Sequence, residues 1–91
     1  MVSLRAMESR RVQILGQFPD QAMLSGAHHR AQLLGLDLRV QEESQSRLDL
    51  MLSGQPALVD AFEVACLLGE GRSIVDEVRG ASSGQGWSRA A

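Results

Sequence analysis

The strongest constraint on this chain is how its hydrophobic period switches along its length. In "RVQILG", Arg11 to Gly16, Val12 and Ile14 share one side of a short strand. Between Met23 and Leu34 the spacing changes, and Leu24, Ala27, Ala31 and Leu34 recur every three or four residues, as along one face of a helix. Asp20 or its neighbour suits the helix start, and Gly35 suits the left-handed position past its end. Two-residue alternation returns in "DLRVQEE", where Leu38 and Val40 oppose Arg39 and Gln41. After the polar turn "SQS" it continues in "RLDLMLSG" through Leu48, Leu50 and Leu52. Gln55 to Leu68 reads as a second helix, with Pro56 in its first turn and Leu58, Ala61, Phe62, Ala65 and Leu68 on one side. Gly69 ends it. "SIVDEVR" supplies a last strand whose Val75 and Val78 break strict alternation, which predicts an edge position or a bulge.

The resulting order is βαββαβ. With right-handed crossovers it closes into a ferredoxin-like α+β sandwich, a four-stranded antiparallel sheet with two helices on one face. The expected core is Val12, Ile14, Leu24, Ala27, Ala31, Leu34, Val40, Leu50, Leu58, Phe62 and Ala65. Residues 1–10 show no period and are expected to form a flexible arm, 11–79 the domain, and 80–91 a Gly- and Ser-rich tail that Trp87 pins back.

Several functions are disfavoured by what the chain lacks. Its 91 residues suffice for one small core, and a net charge of −2 lacks the basic footprint of a nucleic-acid or anionic-membrane binder. No partner of either kind is expected. The single Cys66, with no leader or long apolar run, makes the cytoplasm the expected setting. All nine basic residues are Arg, and Lys, Asn, Thr and Tyr are absent, so a lysine Schiff base, a P-loop lysine and a tyrosine acid are excluded.

Individual residues offer few sites. His28 and His29 are adjacent on the first helix and point about 100° apart, so they do not chelate one ion together and are expected to face solvent. His28 lies one turn beyond Leu24, where it could substitute for a cation near the loop. Cys66 is expected to be a small buried hydrophobe. Asp20, Glu42 and Glu43 form an acidic corner, read as solvated rather than metal-binding, and "GEGR" at Gly69 to Arg72 reads as a turn. No metal and no cofactor is expected. The open sheet face is expected to show Gln13, Leu15, Arg39, Gln41, Asp49, Met51 and Ser53, with no aromatic platform for RNA bases. Its apolar members, Leu15 and Met51, leave a protein partner or self-association through that face as the expected kind of contact.

The framework resembles the acylphosphatases, small enzymes that hydrolyse the carboxyl-phosphate bond of acyl phosphates. "GQFPDQAML", Gly16 to Leu24, stands where that family has G-x-V-Q-G-V-x-F-R; "GL", Gly35-Leu36, follows at the family's distance; and "LRVQE", Leu38 to Glu42, stands where it has G-W-V-x-N. "RLDLMLSG" and "SIVDEV" are similar to its third and fourth strands, so the resemblance spans Arg11 to Arg79.

That resemblance implies a phosphate cradle made of Gln17, Phe18, Pro19, Asp20, Gln21, Ala22 and Met23, clamped by an arginine at position 24 and served by a water-orienting asparagine at position 42. Leu24 and Glu42 occupy those two positions, so no catalytic residue is assigned. Pro19 has no N–H, and Asp20 stands where a glycine would let backbone approach an anion. No realignment supplies an asparagine, because the chain has none. A carboxylate in its place, ~4 Å from an anion at an effective dielectric of about 20, repels it by roughly 4 kcal/mol. The expectation is therefore a non-catalytic interaction or altered-ligand module, with a divergent acylphosphatase using other residues as the alternative.

Overall fold

A computed structural model describes residues 7–82 of the chain. In order these form β1 (Glu8–Gln17), α1 (Ala22–Leu33), β2 (Asp37–Glu43), β3 (Arg47–Gly54), α2 (Pro56–Cys66) and β4 (Ile74–Ser82). The strands make one antiparallel sheet in the order β2-β3-β1-β4, and both helices cover one of its faces. This is the ferredoxin-like βαββαβ sandwich that the order of periods implies. The boundaries are wider than the sequence suggests. Glu8 to Arg10, expected in the arm, pair with β3, and β4 runs past Arg79 to Ser82. Met1–Ala6 and the end of the tail, with Trp87, lie outside the described residues.

Strand register explains which side chains reach the core. Val12 pairs with Leu50 and Ile14 with Leu48, so these residues share the helix-covered face with Leu52 and are all but inaccessible to solvent. Arg10 lies on the same face opposite Leu52, and its guanidinium ties β1 to α2 by donating to Asp60 Oδ1 (2.6 Å) and Glu63 Oε2 (2.9 Å). From above, Met23, Ala27 and Ala31 of α1 and Val59, Phe62 and Cys66 of α2 close the core. Phe18 and Leu36 seal its ends.

Both helix faces are rotated about one residue from the expected stripes. Leu24 and Leu34 only flank the core while Met23 enters it. In α2, Val59 and Cys66 are buried, Leu58 and Ala65 are half-buried, and Ala61 and Leu68 face outward. Apolar residues at adjacent positions allow either stripe, and packing against the sheet selects one. Val40 is also corrected: it faces the helices but is 40% exposed, because β2 is an edge strand that they cover poorly.

Helix ends follow local chemistry. At the end of α1 the Leu36 N–H donates to Ala31 O (2.8 Å) and the Gly35 N–H to Gln32 O (3.2 Å), a Schellman pair that requires the left-handed φ of +70° found at Gly35. At the start of α1 the Asp20 carboxylate accepts from the Ala22 N–H (2.9 Å). β4 is indeed an edge strand and carries a bulge where its pairing to β1 shifts between Leu15 and Gly16. "GEGR" is a turn, with Gly69 and Gly71 both at positive φ. Among the described residues no helix is long and apolar enough to cross a membrane.

Candidate functional site

The segment between β1 and α1 is pinned at its β1 end by hydrogen bonds to the β2–β3 turn. The Phe18 N–H donates to Gln45 O (2.7 Å), and just before it the Gly16 N–H donates to Ser46 O (3.1 Å), so the loop lies against the β2–β3 turn. Between these two segments is a cavity of about 190 Å³. Phe18, Pro19, Asp20 and Gln21 line one side, Met23 and Leu24 of α1 the back, Glu43, Ser44 and Gln45 the other side, and Leu48 completes it. Five of the seven expected cradle residues are thus on its wall; Gln17 and Ala22 are not.

The backbone offers this cavity few donors. Phe18 has spent its N–H on Gln45, Pro19 has none, and Ala22 gives its own to Asp20. Asp20, Gln21, Met23 and Leu24 keep amides that a ligand could meet, and the start of α1 adds a weak positive potential. Side chains oppose it. Among the described residues no lining residue is a cation, whereas Asp20 and Glu43 are carboxylates. His28 and His29 are exposed on α1 and His28 is not on the wall, so it does not replace the missing cation.

Glu42, the residue aligned with the family's asparagine, is not on this wall either. The reason is a bulge in β2. Val40 pairs with Leu50, but the next pairs are Glu42 with Asp49 and Glu43 with Leu48, which leaves Gln41 as the extra residue. One inserted residue reverses the side each later side chain takes. Glu43 therefore joins Leu48 on the helix-covered side, and Glu42 joins Asp49 on the open face. There the Arg47 guanidinium donates to Asp49 Oδ2 from Nε (3.0 Å) and Nη2 (2.6 Å). That hydrogen bond, then the field of Asp49 and to a smaller extent that of Glu42, holds the Arg47 proton above its usual range. The expected acidic corner is split: Asp20 and Glu43 meet at the cavity, and Glu42 faces away. Sequence reasoning placed Glu43 in the acidic corner but missed the turn residues Ser44 and Gln45, whose proximity to the loop follows from the pairing of Leu15 with Arg47 and the Phe18 and Gly16 hydrogen bonds to the turn.

The remaining candidates offer little chemistry. Cys66 is buried, and that burial pushes its thiol up to about 12, so it is neither a thiolate nor accessible. A hollow of about 410 Å³ on the open face is lined by Ser9, Asp37, Arg39, Gln41, Met51 and Ser53. It is polar and, among the described residues, lacks an aromatic side chain; Phe18 and Phe62 are both in the core. Among the described residues no group of three His, Cys, Asp or Glu side chains is placed to hold a metal ion.

No family model matches the chain, and no curated protein matches it in sequence. Solved structures do match in shape. An acylphosphatase from Coxiella burnetii superposes with a TM-score of 0.78 at 15% identity, over 86% of this chain and 82% of that one. An acylphosphatase from Bacillus subtilis gives 0.75 at 17% identity, over 85% and 84%. Full-length HypF, solved in its phosphate- and nucleotide-bound form, gives 0.69 at 19% identity, over 84% of this chain and 10% of that much longer one. This chain has the acylphosphatase fold.

Proposed function

We propose that this chain is an acylphosphatase-like domain that no longer hydrolyses acyl phosphates and acts by non-covalent contact with another molecule, in the cytoplasm. The observation that carries this reading is the cavity wall, which among the described residues holds two carboxylates and no cation where an acyl phosphate would need positive charge. Catalysis of phosphoryl-group hydrolysis depends on stabilising negative charge as it redistributes. Helix-start amides alone contribute about 0.3–1 kcal/mol at an exposed end, and Asp20 already draws on that potential. Glu43, displaced onto the wall by the β2 bulge, adds repulsion on the opposite side.

The test is direct. The purified protein should hydrolyse benzoyl phosphate no faster than buffer does, and phosphate titrated to millimolar levels should not shift the amide NMR signals of Gln17 to Leu24 saturably. Turnover above background that phosphate inhibits, or saturable shifts confined to those amides, would reverse the reading in favour of a divergent hydrolase. A stricter version restores the charge pattern at the positions the geometry selects, Leu24→Arg with Glu43→Asn. Phosphate binding should then appear at the loop, whereas Leu24→Arg with Glu42→Asn, which leaves Glu43 on the wall, should bind more weakly.

A further inference from the structure

Among the described residues the sheet has two free edges, and they differ in a way that favours a specific neighbour at one of them. β4 is an edge strand. Beside it lie four of the seven large hydrophobic residues that the described part of the chain exposes: Val64 (65%), Leu67 (55%) and Leu68 (84%) at the end of α2, and Ile74 (54%) at the start of β4. A hollow of about 290 Å³ between α2 and β4, lined by Val64, Leu67 and Val78 with Asp60 and Glu63, adjoins the same edge. The other edge, β2, is interrupted by its bulge four residues after it starts, and Glu42 and Glu43 follow.

Charge on β4 is arranged symmetrically about one residue. Glu77 and Arg79 flank Val78; both project from the open face, opposite Leu15 and Gln13 of β1, while Val78 lies with Ile14 on the helix side. Within one chain the two are already ion-paired, Arg79 Nε to Glu77 Oε2 at 2.6 Å. If a second β4 runs antiparallel alongside the first with a two-fold axis at Val78, each Glu77 faces the other copy's Arg79. Moving the axis to Glu77 or to Arg79 sets two like charges against each other on that axis, and an odd-residue slip mismatches the faces. Only the Val78 register combines opposite charges on the open face with apolar side chains on the helix side. Charges on an edge strand usually serve to repel other strands. Here they are self-complementary, and the apolar side chains Val64, Leu67 and Val78 lie beside them together with the Asp60 and Glu63 carboxylates, which Arg10 pairs.

We propose that a second copy of this chain docks along β4, forming a two-fold dimer with a continuous eight-stranded sheet whose axis passes Val78. The Glu77 and Arg79 pairs set the register, and burial of Val64, Leu67, Leu68 and Ile74 supplies the affinity. This inference goes beyond the loss of hydrolysis and does not depend on it, because none of these residues lines the cavity beside the β1–α1 loop.

Sedimentation velocity of the full chain from about 1 µM to about 1 mM tests it. The expected result is a reversible shift from monomer to dimer. Arg79→Glu turns two attractive pairs into two repulsive ones and should weaken dimerisation about tenfold or more. Glu77→Arg together with Arg79→Glu restores complementarity and should restore the dimer. Leu67→Glu should abolish it, and far-UV circular dichroism identifies any variant that fails to fold. A monomer at every concentration overturns the proposal, including the case in which this edge serves a different protein. A dimer indifferent to the Glu77 and Arg79 exchanges overturns the register.

Discussion

Replacing Gly16 by alanine separates two explanations for the glycine that opens the loop. As the first residue of a phosphate-cradle pattern it would serve a ligand, yet the structure accounts for it without one. A Cβ built at Gly16 overlaps the Ile74 carbonyl oxygen and comes within 3.0 Å of Ile74 C and Val75 Cα, all backbone atoms of the neighbouring strand. Retreat is blocked on the other side, where the Gly16 N–H donates to Ser46 O. The backbone at Gly16 does not have positive φ, so alanine is not strained by its own conformation. Taken alone, removing a glycine would stabilise the fold by about 0.4–1 kcal/mol through the unfolded chain. Overpacking costs about 1–3 kcal/mol, and a strand displacement of roughly 1 Å takes a ladder hydrogen bond out of reach, for a further ~0.5–1.5 kcal/mol. The clash wins, and Gly16→Ala should destabilise by roughly 1–4 kcal/mol, a large share of the ~5–15 kcal/mol expected of a domain. Urea unfolding followed by circular dichroism and extrapolated linearly measures it. An unchanged or raised midpoint would refute the packing argument and return Gly16 to the ligand explanation.

Phe62 has no solvent exposure, so Phe62→Ala should cost about 3–5 kcal/mol in the same assay, and a cost near zero would show that α2 is not seated as described. Cys66 predicts a pH dependence. Its folded thiol is pushed up to about 12 by burial against an ordinary value of 9.0, so above pH 9 the unfolded chain binds fewer protons than the folded one and stability falls as pH rises toward 12. Below pH 9 the group has no effect. Relative to Cys66→Ala, the wild-type chain should lose about 1.4 kcal/mol per pH unit above 9, and parallel curves for the two proteins would contradict the burial.

How much of this was legible in the sequence depends on which physical signal was available. Element order was, because strand and helix periods differ and Gly35, Gly54 and Gly69 punctuate them. The face each strand presents also was: Val12, Ile14, Leu48, Leu50 and Leu52 all point where alternation puts them. Depth was not. Val40 takes the correct face yet stays partly exposed, since alternation is blind to whether a helix covers that part of the sheet. Helix rotation was ambiguous for a related reason. In α2, Leu58, Val59, Ala61, Phe62, Val64, Ala65 and Cys66 leave almost every side apolar, and the exposed Val64 shows that the excess is left at the surface, beside the free edge of β4.

The site turned on a feature that leaves no mark in the sequence. Bulges are easiest to infer where a glycine interrupts alternation, but in "VQEES" a polar run follows Val40, and either register satisfies it equally. What selects the bulged register is β3. Leu48 must reach the core, so it fixes which residue of β2 lies opposite on the helix side, and with Gln41 as the extra residue that is Glu43. The repulsion expected of Glu42 thus comes from its neighbour with its sign unchanged: a carboxylate faces the loop in either register. Because Gln41, Glu42 and Glu43 are followed by Ser44, no slip of one residue in either direction brings a cation to that wall. The acidic character of the cavity is therefore insensitive to the position of the bulge, whereas the identity of the residue to mutate depends on it entirely.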